Sequence, residues 1–110
     1  MSKIANRNAR AYVDRLEEFQ GSNIFAEWRD KIFDDPLKKA INELAKVRVY
    51  VVYSYGKHFP MYANIAGQWY GNRDKYSPTT SKQQSQTRPS YSNNMVWVDT
   101  DALRVLIGLS

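Results

Sequence analysis

The chain has 110 residues, the length of one ordinary domain, and 43% of them are apolar, which is enough for one modest core. It has no cysteine, which excludes disulfides, thiolate nucleophiles and cysteine-bound zinc, and its single histidine gives little basis for a transition-metal site. We expect no metal or other cofactor. With neither a signal peptide nor an apolar run of about 20 residues, we expect a soluble cytoplasmic protein.

The formal net charge of +5 is concentrated in the middle of the chain. Residues 1–46 carry nine basic and eight acidic side chains, and residues 93–110 carry one basic and two acidic side chains. Residues 47–92 carry six basic side chains against Asp74 alone. This central surplus favours an anionic partner, although a basic balance also serves solubility.

The N-terminal part is predicted to be helical. Residues 1–7 are polar and without periodicity, so we expect them to be disordered. A helix is predicted over residues 8–20, since apolar side chains recur there at helical spacing. These side chains are Tyr12, Leu16 and Phe19.

The next two segments differ in how clearly they can be interpreted. Residues 24–33 alternate as a strand would at Ile24, Ala26 and Trp28, yet a helix is marginally favoured. A helix over 36–46 is better supported, because Asp35 suits its N-cap, Pro36 suits its first position and an apolar stripe follows. The stripe is Leu37, Ile41 and Leu44.

A β-meander is predicted to follow. Residues 47–55 are apolar or aromatic at alternate positions on both faces, which is typical of a central strand covered on each side. Residues 58–65 form the return strand, with Pro60 restricting it to an edge or a bulge, and residues 68–71 start a third strand. The connecting turns are Gly56-Lys57 and Ala66-Gly67.

The C-terminal part combines a polar tract with a short strand and a helix. Residues 77–92 are predicted to be a long polar loop, because 78–88 contain no aliphatic side chain. Residues 95–98 form a strand, and Asp99 or Thr100 caps a final helix. Its inward side chains are Leu103, Val105, Leu106 and Ile107. The whole chain is predicted to be one α+β domain with an antiparallel meander of three to four strands.

The candidate binding residues combine aromatic, cationic and hydrogen-bonding side chains. Aromatic rings stack on unpaired bases, cations contact phosphates, and hydroxyl or amide groups bond to phosphate oxygens or base edges. This inventory suits single strands, RNA or a nucleoprotein surface, although aromatic residues of a meander usually belong to the core. The candidates are Arg73, Lys75, Tyr76, Thr79, Thr80, Ser81, Lys82, Gln84 and Arg88, with His58, Trp69 and Tyr70 as further candidates.

An enzymatic site finds less support in the sequence. His58 is the natural acid–base candidate, and a Ser or Thr nucleophile near it, such as Ser54, Thr80 or Ser81, is one reading. No nucleophile elbow, paired carboxylates or phosphate-binding glycine loop accompanies these residues. The protein is therefore expected not to be an enzyme.

Several stretches carry a resemblance to a known group of proteins. They are YVVYSYG at 50–56, HFPMY at 58–62, WY at 69–70, DKYS at 74–77, TTSK at 79–82 and RP at 88–89, together with GSNIFAE at 21–27. In these stretches the chain resembles small proteins encoded by tailed bacteriophages and related mobile elements. The resemblance implies a small viral accessory protein of the host cytoplasm, which includes an inhibitor of a host defence system. It implies no particular activity.

Three functional hypotheses follow. The first is a non-enzymatic phage accessory protein whose basic, aromatic surface binds nucleic acid or a host complex that handles nucleic acid. The second is an anti-defence inhibitor that acts by direct contact with a host protein. The third is a small enzyme that uses His58 with the Ser, Thr and Lys side chains of residues 79–82. No membrane partner is expected, and the sequence leaves the oligomeric state open.

Overall fold

The computed structural model describes residues 3–32, 46–57, 59–74, 78–90 and 94–108. Within these ranges, six strands form one sheet whose strand order follows the chain. The strands are β1 (Phe19–Gln20), β2 (Ile24–Ile32), β3 (Lys46–Ser54), β4 (Pro60–Ile65), β5 (Gln68–Asn72) and β6 (Val96–Val98). The α-helices are α1 (Ala9–Asp14), preceded by a 3-10 turn at Asn6–Asn8, α2 (Pro78–Thr87) and α3 (Thr100–Leu106).

The sheet confirms the α+β class and enlarges the predicted meander. Strands β1 to β5 pair with their neighbours in antiparallel fashion, whereas β6 pairs with β5 in parallel. The chain therefore leaves β5 and returns through α2 before it enters β6. Six strands replace the predicted three to four.

Strand β3 lies at the centre of the packing, as its sequence predicts. Val49, Val51 and Tyr53 are fully buried on one face of the sheet. Tyr50 and Val52 are fully buried on the other face. Because both faces of β3 are apolar, the sheet needs a cover on each side.

The helices provide these two covers. Ala9 and Val13 of α1 pack in the cluster that contains Tyr50, and α2 lies on this same side. Leu103 and Ile107, in and just after α3, pack on the opposite face. The protein therefore has three layers, with the sheet in the middle.

The N-terminal helix is shorter than predicted. It ends at Asp14, and Leu16 adopts a φ of 54°, which turns the chain back toward the sheet. Phe19, expected on the helix, is buried in β1. Residues 1–7 are predicted to be disordered; in their described part, Ile4 N donates to Gln20 O at 2.8 Å.

The marginal preference for a helix over residues 24–33 is also wrong. Residues 24–32 form β2 and pair with β3 at nine consecutive positions. The alternation of Ile24 and Ala26 reflects their burial on one face of this strand, and that signal outweighs helix propensity. The predicted helix over 36–46 lies outside the described residues except for Lys46, which begins β3.

Two features of the meander are confirmed, but the tight turn predicted at Gly56-Lys57 is not. Strand β3 ends at Ser54, β4 begins at Pro60, and the positive φ of 64° lies at Tyr55 rather than at Gly56. Pro60 begins β4, and the register with β3 shifts between Val52 and Tyr53, which is the bulge that a proline favours. Ala66 and Gly67 have φ values of 52° and 85°. Positive φ at both central residues is what a two-residue hairpin turn requires.

Two C-terminal predictions meet different outcomes. The long loop over 77–92 is wrong for residues 78–87, which form α2. The N-cap of α3 is confirmed, because Asp99 Oδ1 accepts from Ala102 N at 2.8 Å. Val105, expected to face inward, is 56% exposed.

A polar junction joins the end of β5 to the start of α3. Asn72 Nδ2 donates to the carbonyl oxygen of Pro60 at 2.8 Å and to Thr100 Oγ1 at 3.0 Å. Asp74 Oδ2 accepts from Thr100 N at 2.9 Å and from Thr100 Oγ1 at 2.8 Å. These hydrogen bonds from Thr100 lower the pKa of Asp74 below its usual 3.8. The junction thus favours the ionised carboxylate.

The first prediction concerns this carboxylate. A carboxyl pKa that is lower in the folded state stabilises the protein above the unfolded-state pKa, and this stabilisation is lost as the pH falls through the folded-state pKa. We expect Asp74→Asn to lower the free energy of unfolding at neutral pH, and the deficit to shrink in acid. Urea unfolding over a pH series measures both effects. Asp101→Asn, the same change in the first turn of α3, serves as control, and an equal pH-dependent deficit there would contradict the assignment.

Candidate functional site

A cleft of about 460 Å³ lies between α2 and the last strands of the sheet. A volume of this size falls in the range of small-ligand sites, about 300–1,000 Å³. Its wall comes from α2, its floor from β4 and β6, and its rim from the end of β5. The lining residues are Tyr62, Asn72, Arg73, Ser81, Gln84, Ser85, Arg88 and Trp97.

The aromatic floor depends on Gly71, which has no side chain to separate the two rings. The strand register places Gly71 of β5 between Tyr62 of β4 and Trp97 of β6. A Cβ atom on Gly71 would lie 2.6 Å from Trp97 Cζ3, so the indole ring occupies the space of the missing side chain. The rings of Tyr62 and Trp97 therefore meet across Gly71, edge to face, with centroids 6.3 Å apart.

Trp97 combines an exposed aromatic surface with a cationic neighbour. It is 43% exposed, although tryptophan is usually well buried. The Arg88 Cζ atom lies 5.4 Å from the centroid of its ring, within the range of a cation–π contact. A ring and a guanidinium group at this spacing offer a base a stacking surface and a phosphate a positive charge.

Helix α2 forms a polar wall. It contains no aliphatic side chain, and within its residues 81–87 the buried positions are Gln83, Gln84 and Thr87. Gln84 Nε2 donates to the carbonyl oxygens of Asn72 at 3.0 Å and of Asp74 at 3.1 Å, which ties the helix to the end of β5. The helix is thus attached to the sheet through amide groups.

Tyr62 links this wall to the floor. Its hydroxyl donates to the carbonyl oxygen of Gln84 at 2.9 Å. Burial raises the pKa of Tyr62 to about 12, and it outweighs the opposing effect of the positive charges on Arg88 and Arg10. The hydroxyl therefore stays protonated and keeps its role as a donor.

The rim is cationic. Arg73 has a side chain 64% exposed, with Nη2 3.8 Å from Asp99 Oδ2, a separation at which a solvated pair contributes little. Asp74, the acidic residue of the central block, accepts both Thr100 hydrogen bonds through Oδ2, and the charge of Arg73 contributes only after these bonds to the lowered pKa of Asp74. Arg73 and Arg88 can therefore act on an anion that enters the cleft.

The structure brings part of the predicted set together. Arg73, Ser81, Gln84 and Arg88 all line the cleft. Lys82 is exposed on α2 and is not among the lining residues. Lys75, Tyr76 and His58 lie outside the described residues, as do the side chains of Thr79 and Thr80.

The two further aromatic candidates belong to the core. Trp69 packs edge-on against Tyr50, with ring centroids 6.2 Å apart. Tyr70 packs against the cluster on the opposite face of the sheet, which separates it from the cleft. These positions agree with the usual role of meander aromatics.

Sequence reasoning missed four lining residues, namely Tyr62, Asn72, Ser85 and Trp97. The sequence places Trp97 in the strand predicted over residues 95–98 and gives it no role in binding. Its exposure follows from the position of β6 at the edge of the sheet. The signal for this site in the sequence was the glycine of β5, because a glycine inside a strand often marks the close approach of another group to the backbone.

Metal clusters and membrane-spanning helices are both absent from the described part of the chain. No group of three or more His, Cys, Asp or Glu side chains there could hold a metal ion. Every helix within the described ranges is too short or too polar to cross a membrane.

No protein-family model, curated protein or solved structure matches this chain.

The second prediction tests the packing of the floor. Gly71→Ala places a methyl group where the Trp97 ring now lies, so we expect the ring to move outward. Tryptophan emission should shift to the red, and quenching by iodide should increase, while the far-ultraviolet circular dichroism stays unchanged. Trp97→Phe identifies the part of the signal that comes from this ring. Unchanged emission and quenching in Gly71→Ala would contradict the described contact.

Proposed function

We propose that this protein binds single-stranded nucleic acid in the cleft between α2 and β6. The observation that carries the proposal is the convergence of Arg73, Arg88 and the exposed ring of Trp97 around one opening. Stacking of bases on aromatic rings beside a cationic groove is how many proteins hold single strands.

The arrangement suits an unpaired strand better than a duplex. A base can stack on Trp97 only if it is free of its partner strand, and the indole lies in a cleft rather than on a protruding element. None of the described helices presents a row of basic side chains for a major groove. The hydroxyl groups of Ser81 and Ser85 add hydrogen-bonding partners for phosphate oxygens or base edges.

We propose that the protein acts in a bacteriophage infection. The resemblance to phage proteins supports a small, non-enzymatic accessory role in which the bound strand belongs to the virus or to a host complex.

The third prediction tests the electrostatic contribution. Each phosphate contact on a single strand contributes about 0.7 to the slope of log K against log salt. We expect the double variant Arg73→Gln, Arg88→Gln to reduce that slope by about 1.4 and to weaken binding most strongly at low salt. Fluorescence anisotropy with a labelled single-stranded oligonucleotide over a salt series measures both quantities.

Arg48 offers a matched control. Its Cζ atom lies 5.0 Å from the centroid of the Trp28 ring, so Arg48→Gln removes an equivalent charge from an equivalent aromatic contact. Arg48 lies on β3, three strands away from β6 and paired in register with Asp30, and its loss should leave the slope nearly unchanged. Absence of binding by the unaltered protein at low salt would refute the proposed function.

The fourth prediction tests stacking. Truncating an aromatic platform costs about 1–3 kcal/mol per stacked base. We expect Trp97→Ala to weaken binding by that amount, whereas Trp97→Phe should retain much of the binding free energy. Neither variant should change the salt dependence much. Binding to oligonucleotides with and without an abasic site shows whether a base is held. An equal loss of affinity in the Phe and Ala variants would contradict stacking of a base on Trp97.

Direct contact with a host protein is the second candidate function. Val96 and Trp97 are 42% and 43% exposed in β6, which forms the last strand of the described sheet. An apolar strand at a sheet edge can pair with a strand of another protein. Recovery of a host partner that withstands nuclease treatment, together with no affinity for oligonucleotides, would favour this function.

A further inference from the structure

The C-terminal end of α2 is capped by side chains from other elements. The last carbonyl groups of a helix have no partners within it, and α2 has no basic residue in its own last turn. Tyr62 binds the carbonyl oxygen of Gln84. Arg10 of α1 donates from Nη2 to the carbonyl oxygen of Ser85 at 2.6 Å and from Nε to that of Arg88 at 3.0 Å. Arg10 therefore supplies a cap that α2 cannot supply itself.

Asp14, one turn further along α1, holds the residues that follow. Its Oδ1 accepts from Ser90 N at 2.8 Å, and its Oδ2 accepts from Ser90 Oγ at 2.6 Å. Arg10 and Asp14 are four positions apart, so they project from the same side of the helix. We call these two residues the α1 clasp. It fixes both the end of α2 and the segment beyond it.

The clasp acts next to the cleft without lining it. Ser85 and Arg88, whose carbonyl oxygens Arg10 binds, are both lining residues, whereas Arg10 is not. The charge of Arg10 is nevertheless felt at the floor, because it acts with Arg88 to lower the pKa of Tyr62 against the effect of burial.

We propose that Arg10 is a positioning residue for the nucleic-acid site, an inference that rests on the function proposed above. By holding the Arg88 carbonyl, it fixes the backbone from which the Arg88 side chain reaches over Trp97. It also offsets the partial negative charge at the C-terminal end of α2, which would otherwise repel an approaching phosphate. Arg10 contributes to affinity through Arg88 rather than by contacting the strand.

The fifth prediction separates positioning from direct contact by means of Arg10→Lys. Lysine keeps the charge but lacks the planar fork that binds two carbonyl oxygens at once. We expect the affinity for a single-stranded oligonucleotide to fall about tenfold, because binding must then order the Arg88 side chain that Arg10 no longer holds. The slope of log K against log salt should stay at its wild-type value, because no phosphate contact is lost.

The matched control is Arg7→Lys, an exposed arginine in the preceding 3-10 turn, which should bind as the unaltered protein does. Wild-type affinity in Arg10→Lys overturns the proposal. So does an Arg10→Gln variant whose slope falls by about 0.7, because that result shows a direct phosphate contact.

Asp14→Ala provides a test of opposite sign, and it carries the proposal if Arg10→Lys does not fold. Removing a negative charge from a protein that binds an anion should strengthen binding on electrostatic grounds alone. The clasp predicts weaker binding instead, because Ser90 is released and Arg88 with it. Asp101→Ala, the same change of charge in α3, should not weaken binding. Equal or tighter binding by Asp14→Ala overturns the proposal.

A measurement without nucleic acid distinguishes failure of this inference from failure of the function. In the NMR spectrum, the ring current of Trp97 should shift the Nε–H resonance of Arg88, and the variant Arg88→Gln identifies that resonance by its loss. Arg10→Lys should abolish this ring-current shift. If it does so while the unaltered protein binds no oligonucleotide, the proposed function is wrong and the positioning role stands. If the unaltered protein binds and Arg10→Lys changes neither resonance nor affinity, the positioning role is wrong and the function stands.

Discussion

The burial of β3 on both faces is the constraint on which the rest of the structure depends. A strand with apolar side chains on each side must be covered twice, and α3 with its following residues achieves this on one face. On the other face α1 has only six residues, too few to cover a sheet of six strands. Helix α2 completes that cover although it has no aliphatic side chain, and amide and hydroxyl hydrogen bonds hold it in place. Such bonds contribute about 0.5–1.5 kcal/mol each, less than a buried leucine side chain. The cleft is the space that this polar packing leaves beside the edge strand.

Sequence reasoning succeeded where one local signal decided the outcome. The alternation over residues 47–55, the turn at Ala66 and Gly67 and the cap at Asp99 each depend on neighbouring residues alone. It failed where the deciding partner was distant. The segment after Ile24 is a strand because β3 offers it a full register. Residues 78–87 are helical although their buried side is polar, so hydrophobic periodicity could not reveal them.

The candidate site shows the same division. Composition and charge identified Arg73, Ser81, Gln84 and Arg88, which the fold brings to one cleft. The aromatic partner was misassigned, because Trp69 and Trp97 are alike in sequence and only strand order decides which is covered. Arg10 could not be recognised, since its ligands are carbonyl oxygens, which have no sequence identity. A residue whose side chain binds only backbone atoms cannot be identified from the types of side chain in the sequence.

The clasp joins parts of the chain that are far apart in sequence. Arg10 bonds to Arg88 across 78 positions, and Asp14 bonds to Ser90 across 76. The residues that line the cleft all fall between Tyr62 and Trp97, but the side chains that hold its wall come from the N-terminal helix. A peptide that spans the basic block would carry the charge and hydroxyl groups without the geometry. The proposed recognition surface therefore requires the folded chain, because the N-terminal helix holds Arg88 and Ser90 in place.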